Sequence, residues 1–237
     1  MENNKVVLKA EKINKFYGRL RVLCDINITL EAGSFLAVFG ANGAGKSTLL
    51  KVFAMLLKPN SGSIFVNGVD VKKDSETLRK SIGVVFHDIL MYNDLTALEN
   101  LKLYGRLYNV KDCEERIEHV MEIVGFRERS SEPIRNFSRG MQQRLAIARA
   151  FLHNPSFLLL DEPYAGLDQK ASDILNQILK RFHDEGRSAI IATHNIEQGL
   201  EIADEIAVLK EGYIIYENKK EQIDVEEFKK LYPSLSE

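Results

Sequence analysis

Short apolar stretches recur along the chain, and their length and alternation predict β-strands. Several of them are almost continuously apolar, which is typical of strands buried inside a parallel sheet. Others lie in pairs around a turn such as Asn67-Gly68, which is typical of a hairpin. The predicted strands are residues 6–10, 26–30, 35–39, 64–66, 69–71, 82–86, 156–161, 188–193, 206–209 and 213–216.

Other segments carry apolar residues at helical spacing with charged residues between them. The longest runs from about residue 95 to 126 and predicts a helical lobe inserted in an α/β core. Near the end of the chain, Asp224 can cap a short helix that reaches Leu231 and that Pro233 ends. The other predicted helices are residues 49–57, 142–152, 171–183 and 196–203.

The composition is typical of a soluble globular protein, since 45% of the 237 residues are hydrophobic and 28% are charged. The length predicts one domain, which ends in a charged tail at residues 218–237. A net charge of −2 does not suggest binding to nucleic acid. Cys24 and Cys113 stand alone and predict free thiols in a reducing compartment.

The chain shows no targeting or membrane-spanning segment. Its start, Met1 to Lys5, is polar and does not resemble a signal peptide. No apolar run approaches the ~20 residues that a membrane-spanning helix needs. If the protein works at a membrane, we therefore expect another chain to cross it.

The predicted strand at residues 35–39 leads into Gly40-Ala41-Asn42-Gly43-Ala44-Gly45-Lys46-Ser47-Thr48, with the spacing G-x-x-x-x-G-K-S. The glycines let backbone N–H groups point at an anion, and the helix that follows adds its positive dipole end. We expect Lys46 to bind the outer phosphates of a nucleoside triphosphate and Ser47 to bind Mg²⁺. Thr48 can reach an inner phosphate. The loop alone does not define the reaction.

Polar residues follow two of the buried strands. Asp161 and Glu162 end one strand, and His194 follows another. Because ligands bind at the carboxyl ends of parallel strands, we expect these residues beside the phosphate loop. Asp161 would support Mg²⁺, Glu162 would deprotonate the attacking water, and His194 would bond the γ-phosphate. The alternatives are a polar turn at Asp161-Glu162 and a structural histidine.

These motifs together resemble the nucleotide-binding subunit of an ATP-binding-cassette (ABC) transporter. The matching segments occur in the family's order and span nearly the whole chain: residues 40–48, 137–144, 158–163, 165–168 and 193–194. The resemblance implies one domain with a P-loop NTPase (RecA-like) α/β core that has a mainly parallel sheet. It also implies an N-terminal antiparallel β subdomain and an α-helical subdomain inserted at about residues 88–152.

The resemblance also implies ATP and Mg²⁺ as cofactors and ATP hydrolysis as the reaction. In the family, residues matching Ser138 and Gly140 cap the ATP that a partner holds, which predicts a head-to-tail homodimer. Tyr17, which we predict on a turn, falls where the family places an aromatic ring that stacks on adenine. The alternative is a surface tyrosine. A separate membrane-spanning subunit at the cytoplasmic face of the membrane is implied as well.

Two motifs depart from the family's pattern. The family's L-S-G-G-Q is here Phe137-Ser138-Arg139-Gly140-Met141, a form that resembles exporter ATPases. The glutamine that usually follows the strand at residues 82–86 is here His87. We expect His87 to replace it, both as a contact of Mg²⁺ and as the link to the membrane subunit.

His87 and residues 95–101 resemble the ATPase of the heme exporter used in cytochrome c maturation. ATPases of drug and of polysaccharide or lipid exporters share most of these features and remain alternatives. A soluble ABC ATPase of translation or DNA repair is a rival from another class, although such proteins usually carry two cassettes. A kinase or GTP switch is disfavoured by the element at residues 138–144.

Overall fold

The computed structural model describes residues 6–236. Glu237 lies outside this range, as does the polar start of the chain, Met1 to Lys5, which does not resemble a signal peptide. Its strands are β1 (Val6–Tyr17), β2 (Leu20–Glu31), β3 (Phe35–Phe39), β4 (Ser61–Val66), β5 (Val69–Asp70), β6 (Ile82–Val85), β7 (Phe157–Asp161), β8 (Ser188–Thr193), β9 (Glu205–Lys210) and β10 (Tyr213–Lys219). Its α-helices are α1 (Lys46–Phe53), α2 (Ser75–Arg79), α3 (Ala97–Leu107), α4 (Cys113–Ile123), α5 (Arg139–Leu152), α6 (Gln169–Asp184), α7 (Ile196–Ile202) and α8 (Val225–Ser236).

The larger sheet has six strands in the order β10-β9-β3-β8-β7-β6. Its strands pair in parallel from β9 to β6, and β10 adds an antiparallel edge. Every residue of β3, β7 and β8 is buried, because helices cover the sheet and leave no solvent face. The expected α/β core with a mainly parallel sheet is confirmed.

The smaller sheet is antiparallel and has the order β2-β1-β4-β5. Asn67 and Gly68 join β4 to β5 with φ angles of 49° and 78°, as a two-residue hairpin turn requires. Its apolar side chains share one core with α1. The prediction that Tyr17 lies on a turn is wrong. Tyr17 is the last residue of β1, because β1 and β2 stay paired as far as Tyr17 and Leu20.

Helices α3, α4 and α5, which we call the helical lobe, pack on the β6–β7 side of the sheet. The helical pattern at residues 95–126 is interrupted between Leu107 and Cys113, so α3 and α4 are separate. The reason is local: Asn109 and Asp112 have φ angles of 52° and 48°, left-handed values that a helix cannot continue through. The two helices then pack so closely that a Cβ atom on Gly105 would lie 2.2 Å from the Cys113 Sγ. Residues 108–112 make the turn that allows this approach.

The chain ends in a helix that is longer than expected. The Asp224 carboxylate accepts hydrogen bonds from the first turn of α8, as predicted. Pro233 does not end α8 but lies inside it. Phe228 and Tyr232 pack their rings against Phe39 at centroid distances of 6.0 and 5.9 Å, and this packing outweighs the cost of proline in the last turn.

None of the helices within residues 6–236 combines the length and the apolar character that a membrane crossing requires.

A buried amide fixes the loop between β6 and α3. The Asn100 side chain is fully buried and accepts a hydrogen bond from the Tyr92 N–H at 2.9 Å. It also donates to the carbonyl oxygens of Tyr92 and Thr96, both at 3.0 Å. The loop that begins at His87 is therefore tied to the helical lobe through Asn100.

We predict that Asn100→Ala lowers the free energy of unfolding by about 1–3 kcal/mol, because it leaves buried backbone groups without partners. Urea denaturation measures this change. Gln177→Ala removes an exposed amide from α6 and serves as the control. Equal stability of the two variants would contradict the proposed anchoring of the loop.

Candidate active site

A cavity of about 320 Å³ opens at the carboxyl ends of β3, β6 and β7. Its walls come from the loop after β3, from the residue after Phe86 and from the end of β7. The lining residues are Val22, Asn42, Gly43, Gly45, Lys46, Ser47, Thr48, His87, Asp161 and Glu162. The structure thus brings together the phosphate loop, His87 and the two carboxylates that the sequence singled out.

The loop before α1 is shaped by its glycines. Gly45 has a φ of 110°, which other residues avoid, and a Cβ atom there would lie 2.7 Å from the Val22 carbonyl oxygen. A Cβ atom on Gly40 would lie 2.3 Å from the Leu209 carbonyl oxygen of β9. No side chain caps α1, so its first N–H groups are available to an anion.

Lys46 is buried, although it carries the charge expected to bind phosphate. Its Nζ donates to the carbonyl oxygens of Gly40 at 2.7 Å and Ala41 at 3.1 Å. It also lies 3.8 Å from the Glu162 Oε1. Burial lowers the pKa of Lys46, while the charges of Glu162 and Asp161 raise it in part. A third N–H of the ammonium group remains for a ligand.

The residues around Asp161 fit Mg²⁺ that is shared with a nucleotide. Asp161 is buried, and its Oδ1 has no hydrogen-bond partner in the structure. Burial raises the pKa of Asp161, and the neighbouring Ser47 hydroxyl lowers it by less. Within residues 6–236 no three His, Cys, Asp or Glu side chains cluster around a possible ion. Mg²⁺ suits this sparse set, because it keeps water and binds substrate phosphates.

Glu162 is held at the end of β8 by three hydrogen bonds. Its carboxylate accepts from the Thr193 hydroxyl and from the backbone N–H of His194, both at 2.9 Å. The Nδ1 of His194 lies 2.8 Å from the same carboxylate. The backbone of Glu162 has a φ of 48°, which is rare for a residue with a side chain and common at functional sites.

The remaining predicted residues lie outside the cavity lining. Tyr17 is exposed at the end of β1, where the Lys15 ammonium lies 5.4 Å from its ring centre. Ser138 caps α5 by accepting from the Met141 N–H at 3.3 Å, and Gly140 follows in the first turn. A Cβ atom on Gly140 would lie 3.0 Å from the carbonyl oxygen of Gly166.

Two further residues reach the site without a signal in their local sequence. Val22 of β2 lines the cavity. Tyr232 of α8 lies near the backbone amide of Gly40 and near Glu162. Burial raises the pKa of Tyr232, the Gly40 amide lowers it and the Glu162 charge raises it. Only the folding of distant segments onto the loop brings these two side chains there.

Comparisons with known proteins agree with this architecture. The model of the ABC transporter family matches residues 23–165. The chain is 34% identical to the ABC transporter ATP-binding protein NatA of Bacillus subtilis (strain 168), over 86% of this chain and 84% of that protein. It is 33% identical to the linearmycin resistance ATP-binding protein LnrL of the same organism, over 88% of this chain and 68% of that protein.

A solved structure agrees as well. It is the dimeric ATP-binding cassette MJ0796 in a post-hydrolysis state bound to ADP and Pi. Its TM-score to this chain is 0.84, with 28% identity over 90% of this chain and 98% of that chain. The fold and the phosphate-loop site therefore define an ATP-hydrolysing cassette. The chain belongs to the ABC transporter family and is an ATP-binding domain of that family.

We predict that Asp161→Asn stabilises the protein in the absence of nucleotide at neutral pH. Burial raises the pKa of Asp161, so the folded protein disfavours the ionised form. Stability from such a group is present below the unfolded pKa, about 3.9, and is lost as pH rises through the folded pKa. The gain in the free energy of unfolding over wild type should therefore grow from pH 4 towards pH 8.

Urea denaturation at several pH values measures this difference. Asp173→Asn, an exposed change on α6, is the control for the loss of a carboxylate at the surface. If Asp161→Asn were less stable than wild type at pH 8, the folded protein would favour the ionised carboxylate, contrary to its burial.

Proposed function

We propose that the chain is the ATPase subunit of an ABC transporter and drives export through a separate membrane-spanning subunit. The observation that carries the proposal is the shared cavity, where an uncapped helix N-terminus and Lys46 face Asp161 and Glu162. The first two groups bind phosphate, and the two carboxylates supply a metal ligand and a base. We treat residues 1–237 as one ATPase domain with a helical subdomain at about residues 88–152.

Residues 40–48 would bind the triphosphate. Loop amides and the first N–H groups of α1 would donate to its oxygens, and Lys46 would add its charge. The Ser47 hydroxyl and Asp161 would hold Mg²⁺, with Asp161 acting directly or through water. When bound, Mg²⁺ neutralises charge that develops on the transferred phosphoryl group. Tyr17 would stack on the adenine.

Glu162 would act as the general base for the attacking water. Its hydrogen bonds to Thr193 and His194 fix the carboxylate, and such positioning is part of the efficiency of a base. General-base help is typically worth ~10²–10⁴ in rate. His194 is 61% exposed, so its ring can reach the γ-phosphate as well as Glu162.

A second copy of the chain would complete the site. Ser138, Gly140 and the opening N–H groups of α5 would cap the ATP held by the partner, which gives a head-to-tail homodimer. The dimeric arrangement of the similar cassette MJ0796, solved with ADP and Pi, supports this assembly. Neither the charge nor the site suggests nucleic acid as a partner.

Export is supported by the S-x-G-M-x-Q-R form that begins at Ser138 and by the similarity to a protein named for linearmycin resistance. The subunit would work at the cytoplasmic face of the membrane, where residues 87–107 would receive the membrane subunit. Leu90, Tyr92 and Leu107 are exposed there. The resemblance of His87 and residues 95–101 favours heme as the substrate, whereas neither NatA nor LnrL is named for heme transport.

We predict that Glu162→Gln binds Mg·ATP but hydrolyses it at least ~100-fold more slowly, because the base is lost while the phosphate contacts remain. The head-to-tail dimer should therefore accumulate with ATP. A phosphate-release assay and size-exclusion chromatography measure the two effects.

Lys46→Ala is the matched control, since it should lose ATP affinity and stay monomeric. Its lost contact is a charge-assisted one, worth ~1.5–3 kcal/mol. Hydrolysis at the normal rate by Glu162→Gln would remove Glu162 from the mechanism. A monomeric Glu162→Gln protein at saturating ATP would argue against the dimer.

We further predict that membrane binding needs a partner protein, because the described helices include no candidate membrane span. Flotation of the purified subunit with protein-free vesicles of neutral and anionic lipid should leave it in the unbound fraction. In cell extracts the subunit should copurify with a protein that has several membrane spans. Flotation with the protein-free vesicles would contradict the proposal.

A further inference from the structure

Arg139 and His87, one from each of the two motifs that depart from the family's pattern, touch each other. The Nη2 of Arg139 lies 2.9 Å from each ring nitrogen of His87. The two residues are 52 positions apart in the chain. His87 follows β6 of the core, whereas Arg139 is the first residue of α5 in the helical lobe.

Stability of α5 does not explain an arginine at this position. A cation at a helix N-terminus is unfavourable, because the helix dipole is positive there. Of the residues that the structure describes, His87 is the one that hydrogen-bonds the Arg139 guanidinium. The stem of Arg139 runs over Gly166, where a Cβ atom would lie 3.3 Å from the Arg139 Cδ. A glycine in the loop after Glu162 thus leaves room for the arginine.

The chemistry of the pair restricts the histidine ring. A guanidinium only donates hydrogen bonds, and Nη2 is equally close to both ring nitrogens, so whichever nitrogen carries no proton accepts from Arg139. A neutral imidazole has one such nitrogen, and the other carries the N–H. Once Arg139 occupies the lone pair, His87 has only a donor left. His87 also lines the cavity that holds Lys46 and Asp161.

We propose that Arg139 is a positioning residue for His87 and that His87 donates its N–H to a phosphate oxygen of ATP. Resting on the proposed function, this inference replaces the expectation that His87 contacts Mg²⁺. A glutamine at position 87 would accept through its carbonyl oxygen and donate through its NH₂ group. It would therefore need no arginine to orient it. Arg139 and His87 therefore form one unit.

The first test is the rate of ATP hydrolysis in two backgrounds. In the wild-type background, Arg139→Ala should lower kcat about tenfold, as should His87→Ala. The double variant His87→Ala with Arg139→Ala should be no slower than the slower single variant, within about twofold. In a His87→Gln background, which itself stays within about threefold of wild type, Arg139→Ala should cost less than about twofold.

Arg139→Lys keeps a donor and should recover most of the rate. Arg135→Ala is the matched control, because Arg135 is an exposed arginine near α5 that pairs with Asp94 instead. Thermal midpoints of these surface variants should stay within about 2 °C of wild type, so that rate changes do not reflect unfolding.

The second test observes the ring directly. Long-range ¹H–¹⁵N spectra distinguish a protonated ring nitrogen from one with a free lone pair, and His87→Gln identifies the signal among the five histidines. Arg139→Ala should change the signals of the His87 ring nitrogens, whereas the control Arg135→Ala should leave them unchanged. Unchanged His87 signals in Arg139→Ala would overturn the proposal.

The kinetic outcomes are equally decisive. Multiplicative losses in the double variant, or an equal cost of Arg139→Ala in the histidine and glutamine backgrounds, would show that Arg139 acts independently of His87. Failure of the proposed function itself looks different. In that case wild type would not hydrolyse ATP, or Glu162→Gln would hydrolyse it normally.

Discussion

The active site depends on the parallel pairing of three fully buried strands. β3 pairs with β8, and β8 with β7, in a register that sets Phe39 opposite Thr193 and Asp161 opposite Ala192. The chain segments that follow these strands must therefore emerge at one edge of the sheet. This constraint brings the phosphate loop, the two carboxylates and His194 together, although more than a hundred residues separate the phosphate loop from the other three. Any change that shifts one strand along its neighbour would separate the base from the phosphates.

The same burial makes the site electrostatically costly. Burial lowers the pKa of Lys46 and raises the pKa of Asp161, so both charges are disfavoured where they stand. Mutual attraction and the carbonyl oxygens of Gly40 and Ala41 offset part of this cost. A bound triphosphate with its cation would supply what each group lacks: negative charge for Lys46 and positive charge for Asp161. The cost in the free protein is thus the basis of affinity for a charged ligand.

The sequence predicts this architecture where local pattern decides it. Apolar runs predict β3, β7 and β8, and the spacing of glycines predicts the loop that follows β3. Elsewhere, contacts between distant residues decide the structure. The continuation of α8 past Pro233 depends on Phe228 and Tyr232 meeting Phe39. Val22 and Tyr232 reach the site for the same reason, so no local pattern could have marked them.

Helix α5 joins the helical lobe to the catalytic edge at three points of different character. Gln143 donates to the Pro163 carbonyl oxygen at 3.1 Å, and Arg149 donates to the Val84 carbonyl oxygen at 2.7 Å. Both side chains are buried and donate to backbone carbonyl oxygens. Breaking either contact would leave a buried donor without a partner. The third contact, Arg139 with His87, joins two exposed side chains, and water can replace either partner at little cost. A shift of the lobe would therefore keep the two buried contacts and alter the exposed one, which is the contact that reaches the ATP site.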